Sequence, residues 1–205
     1  MLNIDEAGLI GKGAHRACYK HPENKSLCVK IMINGSHCSV EIKREKKYYQ
    51  HLERRGVSWE MIPRYYGDVE TNLGKGSLFD LVTDKDGVAS KSLEYYLSSN
   101  SETEKYRDSL FKSLSLLKEY LLKNRIITMD IKPYNILCQK TESGISRSFI
   151  VDNIYSSEFI PVSTYISYFA RGKMLRKWQR LEESLINIYK ENKTLQQMLK
   201  ISKTG

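Results

Sequence analysis

Apolar and polar positions alternate over short stretches in the first third of the chain and recur at helical intervals later. Leu9-Ile10 runs into the small-residue stretch Gly11-Lys12-Gly13-Ala14, and Ala17-Cys18-Tyr19-Lys20 runs into the turn His21-Pro22-Glu23-Asn24. Leu27 to Ile33 is a nearly continuous apolar run broken by Lys30, the pattern of a buried strand. Ser39 is placed to cap a helix predicted to run to about Arg55. Residues 67–83 read as a hairpin turning near Asn72-Leu73-Gly74-Lys75-Gly76. Thr103 to Lys123 reads as one amphipathic helix, with Leu110, Leu114, Leu117 and Leu121 at helical spacing. Strands near Ile136-Leu137-Cys138 and Phe149-Ile150-Val151 flank the turn Glu142-Ser143-Gly144, and the pattern is helical from about Ser163 onward. Strands first and helices later predict a two-part α+β protein.

Three charged positions break this pattern. In the strand around Lys30, period two puts Leu27, Val29, Ile31 and Ile33 on one face and Cys28, Lys30 and Met32 on the other. A lysine among small apolar neighbours needs a counter-ion or an anionic ligand. The following helix offers one. Ile42, Tyr49 and Leu52 form a stripe that also carries Glu45, so Glu45 is expected to face the core and meet Lys30; its alternative is a local pair with Lys46 or Arg44. Third, Thr128-Met129-Asp130-Ile131-Lys132-Pro133-Tyr134-Asn135-Ile136-Leu137 sets Asp, Lys and Asn within six positions between apolar runs. Asp152 then ends the apolar strand Phe149-Ile150-Val151. A strand-end Asp facing a loop Asp and Asn is a hard-oxygen set suited to Mg²⁺ with phosphate oxygens; the alternative is two ordinary turn formers.

Composition narrows the picture. The 205 residues suffice for one substantial core or two small parts sharing one. No apolar run approaches the roughly 18 residues of a membrane span, and the acidic start Met1-Leu2-Asn3-Ile4-Asp5-Glu6 lacks the features of a signal peptide. Cys18, Cys28, Cys38 and Cys138 form no CxxC pair, so reduced thiols in a cytoplasmic protein are expected. His15, His21, His37 and His51 are scattered, and the one adjacent pair, His37-Cys38, is too small a ligand set for a metal. The net charge of +9 is concentrated at the end, where residues 171–205 hold nine basic and three acidic residues.

Taken together these features resemble the eukaryotic-type protein kinase fold. Gly11-Lys12-Gly13-Ala14-His15-Arg16-Ala17-Cys18 resembles the phosphate-covering loop, with Arg16 where the third glycine usually stands. Cys28-Val29-Lys30 is similar to the third-strand lysine motif, and Glu45 fits the partner helix. Asp130-Ile131-Lys132-Pro133-Tyr134-Asn135 matches the catalytic loop, with Asp and Asn five apart, and Asp152-Asn153-Ile154 takes the place of Asp-Phe-Gly. More narrowly, the chain is similar to the small bacterial YrbL family, known as PhoP-regulated network proteins. The segments that carry this likeness are Ile42-Lys43-Arg44-Glu45-Lys46-Lys47-Tyr48-Tyr49, Lys132-Pro133-Tyr134-Asn135-Ile136-Leu137 and Phe169-Ala170-Arg171-Gly172-Lys173-Met174-Leu175-Arg176-Lys177-Trp178.

The resemblance implies a compact two-lobed α+β fold. Residues 1–84 would form an antiparallel sheet lobe with one helix of the αC type, and residues 85–205 a reduced helical lobe with the catalytic loop. It implies ATP and Mg²⁺ as ligands. Gly11 and Gly13 would cover the phosphates, Lys30 would hold them and be oriented by Glu45, and Val82-Thr83-Asp84 would form the hinge that meets the adenine. Asn135 and Asp152 would hold Mg²⁺, Asp130 would take the proton of the attacking hydroxyl, and Lys132 would stabilise the transferred group. Thr128-Met129 replaces the usual His-Arg, Ile154 replaces the glycine, 53 residues follow Asp152, and Ile160-Pro161-Val162 is no substitute for Ala-Pro-Glu. The acceptor is therefore left open among a small molecule, a saccharide and a protein. A non-catalytic nucleotide-binding regulator is the alternative of a different class.

The C-terminal segment carries a separate signal. Met174, Trp178, Leu181, Leu185, Ile188, Asn192, Leu195 and Leu199 alternate at spacings of four and three, with Arg171, Lys173, Arg176, Lys177 and Arg180 near the start. Helix packing on the core with a solvated basic face is the favoured reading. The alternatives are a homodimer seam whose register Asn192 would set, or a basic adaptor surface for anionic membranes or partners. Nucleic acid has little further support: Tyr165, Tyr168 and Phe169 precede the basic cluster but equally suit a core.

Overall fold

The computed structural model describes residues 1–33, 39–155 and 167–204. His37-Cys38, Ile160-Pro161-Val162, Tyr165 and the start of the last helical region at Ser163 lie outside them. The described chain is a mixed α+β protein built on two antiparallel sheets.

Strands β1 (Leu9–Lys12), β2 (Arg16–Lys20), β3 (Leu27–Met32), β4 (Tyr65–Thr71) and β5 (Gly74–Asp80) form a five-stranded sheet in the order β1-β2-β3-β5-β4. Helix α1 (Ser39–Arg54) connects β3 to β4. The predicted period-two split of β3 holds. Val29 and Ile31 are buried beneath Ile4, with Leu2, Tyr19, Val69, Leu73 and Leu78 around them. The start of the chain is latched over this face: the Leu2 N–H donates to the Glu70 carbonyl at 2.8 Å, and the Asn72 side chain bonds both backbone groups of Ile4, at 2.7 and 3.1 Å. Gly76 on β5 lies opposite Ile31 of β3 and Val69 of β4, on the same sheet. A Cβ there would come within 2.5 Å of Val29 Cγ1.

The opposite face carries Cys28, Lys30 and Phe79 and packs against α1. Register places Lys30 opposite both Cys18 and Ser77, and Cys28 opposite Phe79. Tyr49 of α1 meets Phe79 edge-on at 5.4 Å and stacks on Trp59 at 6.0 Å.

The second sheet joins β6 (Lys91–Ser92), β7 (Ile136–Thr141) and β8 (Gly144–Ile150). Helices α2 (Leu93–Leu97), α3 (Asn100–Lys105) and α4 (Arg107–Lys123) precede β7, and α5 (Ser167–Ile188) and α6 (Lys193–Thr204) follow β8. The helix expected over Thr103 to Lys123 is two helices. Ser99 caps a separate short helix through the Glu102 N–H, and Tyr106 leaves helical geometry at φ −108°, ψ 11°. Its ring then meets Tyr96 edge-on at 5.4 Å. Leu110, Leu117 and Leu121 are fully buried as their spacing predicts, and Leu114 is partly buried.

The heptad-like pattern at the end is also two helices. Met174, Trp178, Leu181, Leu185, Leu195 and Leu199 join the main core of the same chain. Asn192 is buried between α5 and α6, where its Oδ1 accepts from the Leu195 N–H at 3.0 Å. Its amide donates to the Leu97 carbonyl at 2.8 Å and to Thr103 Oγ1 at 2.7 Å. It is a buried helix cap, not a register-setting residue in a seam. The stripe that a homodimer would need is spent inside the molecule, apart from the exposed Ile188. No helix among the described residues is long and apolar enough to cross a membrane.

Candidate functional site

Lys30 crosses from the sheet to the end of β8. Its ammonium donates to the Val151 carbonyl, lies 3.8 Å from Asp152 Oδ1 and sits 4.7 Å from the centre of the Phe79 ring. The side chain is 11% exposed, so this charge is matched within the protein.

Glu45 is on the buried stripe of α1, as its spacing predicts, and is 3% exposed. Its partner corrects the sequence expectation. Glu45 is held by Arg16, not by Lys30. One guanidinium nitrogen of Arg16 bonds Glu45 Oε2. The other lies 3.3 Å from Glu45 Oε1 and also donates to Asp152 Oδ1. The reason is register: Arg16 opens β2 opposite Met32, on the face that also carries Lys30. Its longer, forked side chain spans two carboxylates, which a lysine ammonium on a straight stem does less well. Two cations and two carboxylates thus form one cluster. Burial pushes the Asp152 carboxyl up, but Lys30 and Arg16 together hold it below its ordinary value. Burial opposes the Arg16 charge, yet Glu45 and Asp152 hold the guanidinium protonated more firmly than usual. The Tyr49 hydroxyl, one helical turn beyond Glu45, is buried with no hydrogen-bond partner among the described residues.

The segment before Asp130 is fixed from two sides. The Met129 N–H donates to the Asn153 carbonyl at 2.7 Å, and the Asn153 amide donates to Asp130 Oδ1 at 2.8 Å. Asn153 has φ 59°, the left-handed region that Asn tolerates better than most residues. From the other side Lys177 of α5 donates to the carbonyls of both Thr128 and Met129. Lys132 reaches to 4.0 Å from Asp130 Oδ2 and is half-exposed. Asn135 closes a short 3₁₀ turn, Pro133–Asn135. Its carbonyl accepts from the Val151 N–H at 3.0 Å, which sets Asn135 beside Asp152.

Lys30, Asp152, Asn135 and Asp130 are therefore brought together through a continuous set of contacts. Gly11 and Gly13 lie at the β1–β2 turn, which closes when the Gly13 N–H donates to the Arg16 carbonyl at 2.8 Å. That N–H is engaged within the loop. A Cβ at Gly11 would meet nothing within 4 Å, so the space over it is open. Val82 is buried, and three backbone groups of its segment are already bonded. The Val82 carbonyl accepts from Ser90 N–H, the Thr83 carbonyl accepts from the Gln139 amide, and the Asp84 N–H donates to Val88. The Val82 and Thr83 carbonyls each keep a second lone pair for a further donor.

Sequence reasoning missed Arg16 as a charge partner, Lys177 as a support of the Asp130 segment, and the thiols of Cys18 and Cys28 beside Lys30. The neighbouring Cys28 thiol, together with Lys30 and Arg16, pushes the Cys18 thiol below its ordinary value, while Cys18 and burial push Cys28 up. The period-two pattern showed that Cys28 shares the face of Lys30; it gave no sign of the pairing across strands.

Among the described residues, no group of three or more His, Cys, Asp or Glu side chains could hold a metal ion. The donors near the end of β8 are one carboxylate, Asp152, and residue Asn135, whose backbone is bonded to Val151, the neighbour of Asp152. That set suits Mg²⁺, which keeps water and phosphate oxygens in most of its coordination positions.

Comparison with known proteins matches residues 2–186 to a family model described as PhoP regulatory network protein YrbL. The chain is 39% identical over 184 residues to the uncharacterized protein YrbL of Escherichia coli (strain K12), covering 88% of this chain and 86% of that one. The same identity and coverage hold for the uncharacterized protein YrbL of Shigella flexneri.

Proposed function

The chain belongs to the YrbL family of PhoP regulatory network proteins, and from that premise we propose that it is an ATP- and Mg²⁺-dependent phosphotransferase with a two-lobed, protein-kinase-like fold. The observation that carries this reading is the convergence of Lys30, Asp152, Asn135 and Asp130, from separate stretches of chain, on one place. Phosphoryl transfer asks a protein chiefly for positioning and charge neutralisation, and this set supplies both.

In this reading Lys30 binds the α- and β-phosphates, with Phe79 and the Val151 carbonyl fixing its stem and head. Asp152 and Asn135 hold Mg²⁺, which when bound neutralises phosphate charge. Asp130 accepts the proton of the acceptor hydroxyl as that oxygen bonds to the terminal phosphorus and the bond to ADP breaks. The Asn153 amide occupies Asp130 Oδ1 and so fixes the orientation of the carboxylate. Lys132, close to Asp130 Oδ2 and open to solvent, balances charge on the transferred group. The acceptor is a hydroxyl of a small molecule, a saccharide or a protein.

Two observations favour a second reading. Asp152 is occupied by Arg16, and Thr128-Met129 stands where His-Arg is usual. A nucleotide-binding regulator without turnover fits that arrangement. Calorimetric titration with ATP, with and without Mg²⁺, in wild type and Asp152→Ala tests the nucleotide site. Mg²⁺-enhanced binding lost in the variant supports both readings, and no binding in either protein refutes both. Phosphate transfer that Asp130→Asn abolishes while sparing ATP affinity selects the enzyme; binding without any turnover selects the regulator.

A further inference from the structure

Arg16 stands where the kinase pattern has a glycine, so the resemblance assigns it no role, yet it is the most connected cation of the site. One nitrogen of its guanidinium is committed to Glu45 Oε2. The other is shared: it donates to Asp152 Oδ1 and lies 3.3 Å from Glu45 Oε1. With Lys30 3.8 Å from the same Asp152 oxygen, two cations and two carboxylates leave the cluster formally neutral without any metal. We infer that Arg16 is a built-in competitor of the divalent cation for Asp152, and that it sets how much Mg²⁺ the site requires. This inference rests on the nucleotide-binding reading above.

The geometry gives the competitor somewhere to go. A divalent ion on Asp152 would meet the guanidinium at close range, and like charges at that distance repel strongly in a partly buried site. When the shared nitrogen leaves Asp152, it can close on Glu45 Oε1, and Arg16 and Glu45 then form a two-bonded fork. The cluster thus has two bonding arrangements, one bridging both carboxylates and one confined to Glu45. Glu45 is buried and stays compensated in both.

The test measures the Mg²⁺ concentration that gives half-maximal ATP binding, by calorimetry at fixed ATP. Arg16→Met with Glu45→Gln removes one charge of each sign and keeps the cluster neutral. The expected result is a Mg²⁺ requirement lowered at least about tenfold in the double variant. Arg16→Lys keeps Glu45 compensated but cannot fork over both carboxylates, and should lower the requirement less, by about threefold. An unchanged or raised requirement in the folded double variant overturns the inference; if the double variant does not fold, an unchanged or raised requirement in Arg16→Lys overturns it instead. ATP binding that ignores Mg²⁺ in wild type overturns the inference alone. Absence of ATP binding in all three proteins at every Mg²⁺ concentration overturns the nucleotide reading as well.

Discussion

Substituting Arg16 by methionine should be among the most destabilising single changes on the sheet, for a reason independent of any ligand. The Glu45 side chain is 4% exposed and that of Arg16 is 16% exposed, and among the described residues Arg16 is the only ion-pair partner of Glu45. Removing one member of a buried pair leaves an uncompensated charge, at a cost of about 3–5 kcal/mol. Asp152 adds little to that figure, because it is 35% exposed and keeps Lys30 nearby. Glu45→Gln should cost less, about 1–2 kcal/mol, since Arg16 retains Asp152 and the new amide oxygen can still accept a bond. Together the two changes leave no orphan charge. The double variant should therefore be more stable than the sum of the singles predicts, with a coupling of about 2–3 kcal/mol. Urea unfolding of the four proteins without nucleotide measures this cycle, and equal denaturant slopes would show that the unfolded state has not changed. On heating, Arg16→Met should lower the midpoint by about 10 °C. A coupling below about 0.5 kcal/mol would refute the reasoning and mean that water reaches Glu45.

Three further outcomes follow from the described contacts. Lys177→Met removes a charged donor from two adjacent carbonyls, and should cost about 1.5–3 kcal/mol and speed amide exchange at Met129 and Asp130; exchange at the wild-type rate would count against that support. Asn192→Ala deletes the cap of α6 and leaves the Leu97 carbonyl without its amide donor, for a loss of about 2–4 kcal/mol by urea unfolding; a loss under about 1 kcal/mol would contradict its burial. Asp152 titrates below its ordinary value when folded, so the stability it contributes is complete above about pH 4 and is lost as the pH falls through the folded value. The stability gap between wild type and Asp152→Asn should accordingly be constant at neutral pH and shrink in acid; a gap that stays constant down to about pH 2 would show that the carboxylate is not held by its cations.

What could be read from the sequence was whatever depends on local period. Lys30 inside an apolar strand, Glu45 on an apolar helical stripe and Asp152 at a strand end are each anomalies within a few residues, and each occupies the site. Pairings were not legible in the same way. Arg16 and Glu45 are 29 positions apart, and their contact depends on the register of β2 against β3, which no local pattern specifies. Lys177 meets Thr128 across 49 positions. In sequence it is one of five basic residues at a helix start, and nothing marked it as a residue that reaches the carbonyls of Thr128 and Met129. The break at Tyr106 was hidden because leucines at helical spacing continue on the far side of it. Asn192 misled for a related reason: a polar residue in a heptad reads as a seam device when the turn between α5 and α6 is not foreseen.

Asn153 accounts for one departure from the kinase pattern in physical terms. Where that pattern has Phe, this chain has a residue that adopts φ 59° and carries an amide. Its carbonyl accepts from Met129 N–H and its side chain donates to Asp130, while its own position follows directly on Asp152. One residue therefore ties the segment of Asp130 to that of Asp152. A phenylalanine could make only the backbone half of that link, and would take up the left-handed conformation at greater cost. Lys177 opposes Asn153 across the same segment, and it is carried by a helix whose Met174 and Trp178 are buried in the main core. The placement of Asp130 thus depends on the packing of α5 as well as on its own loop. Changes that loosen α5 should disturb Asp130 before they disturb Lys30, whose anchors are the sheet and the end of β8.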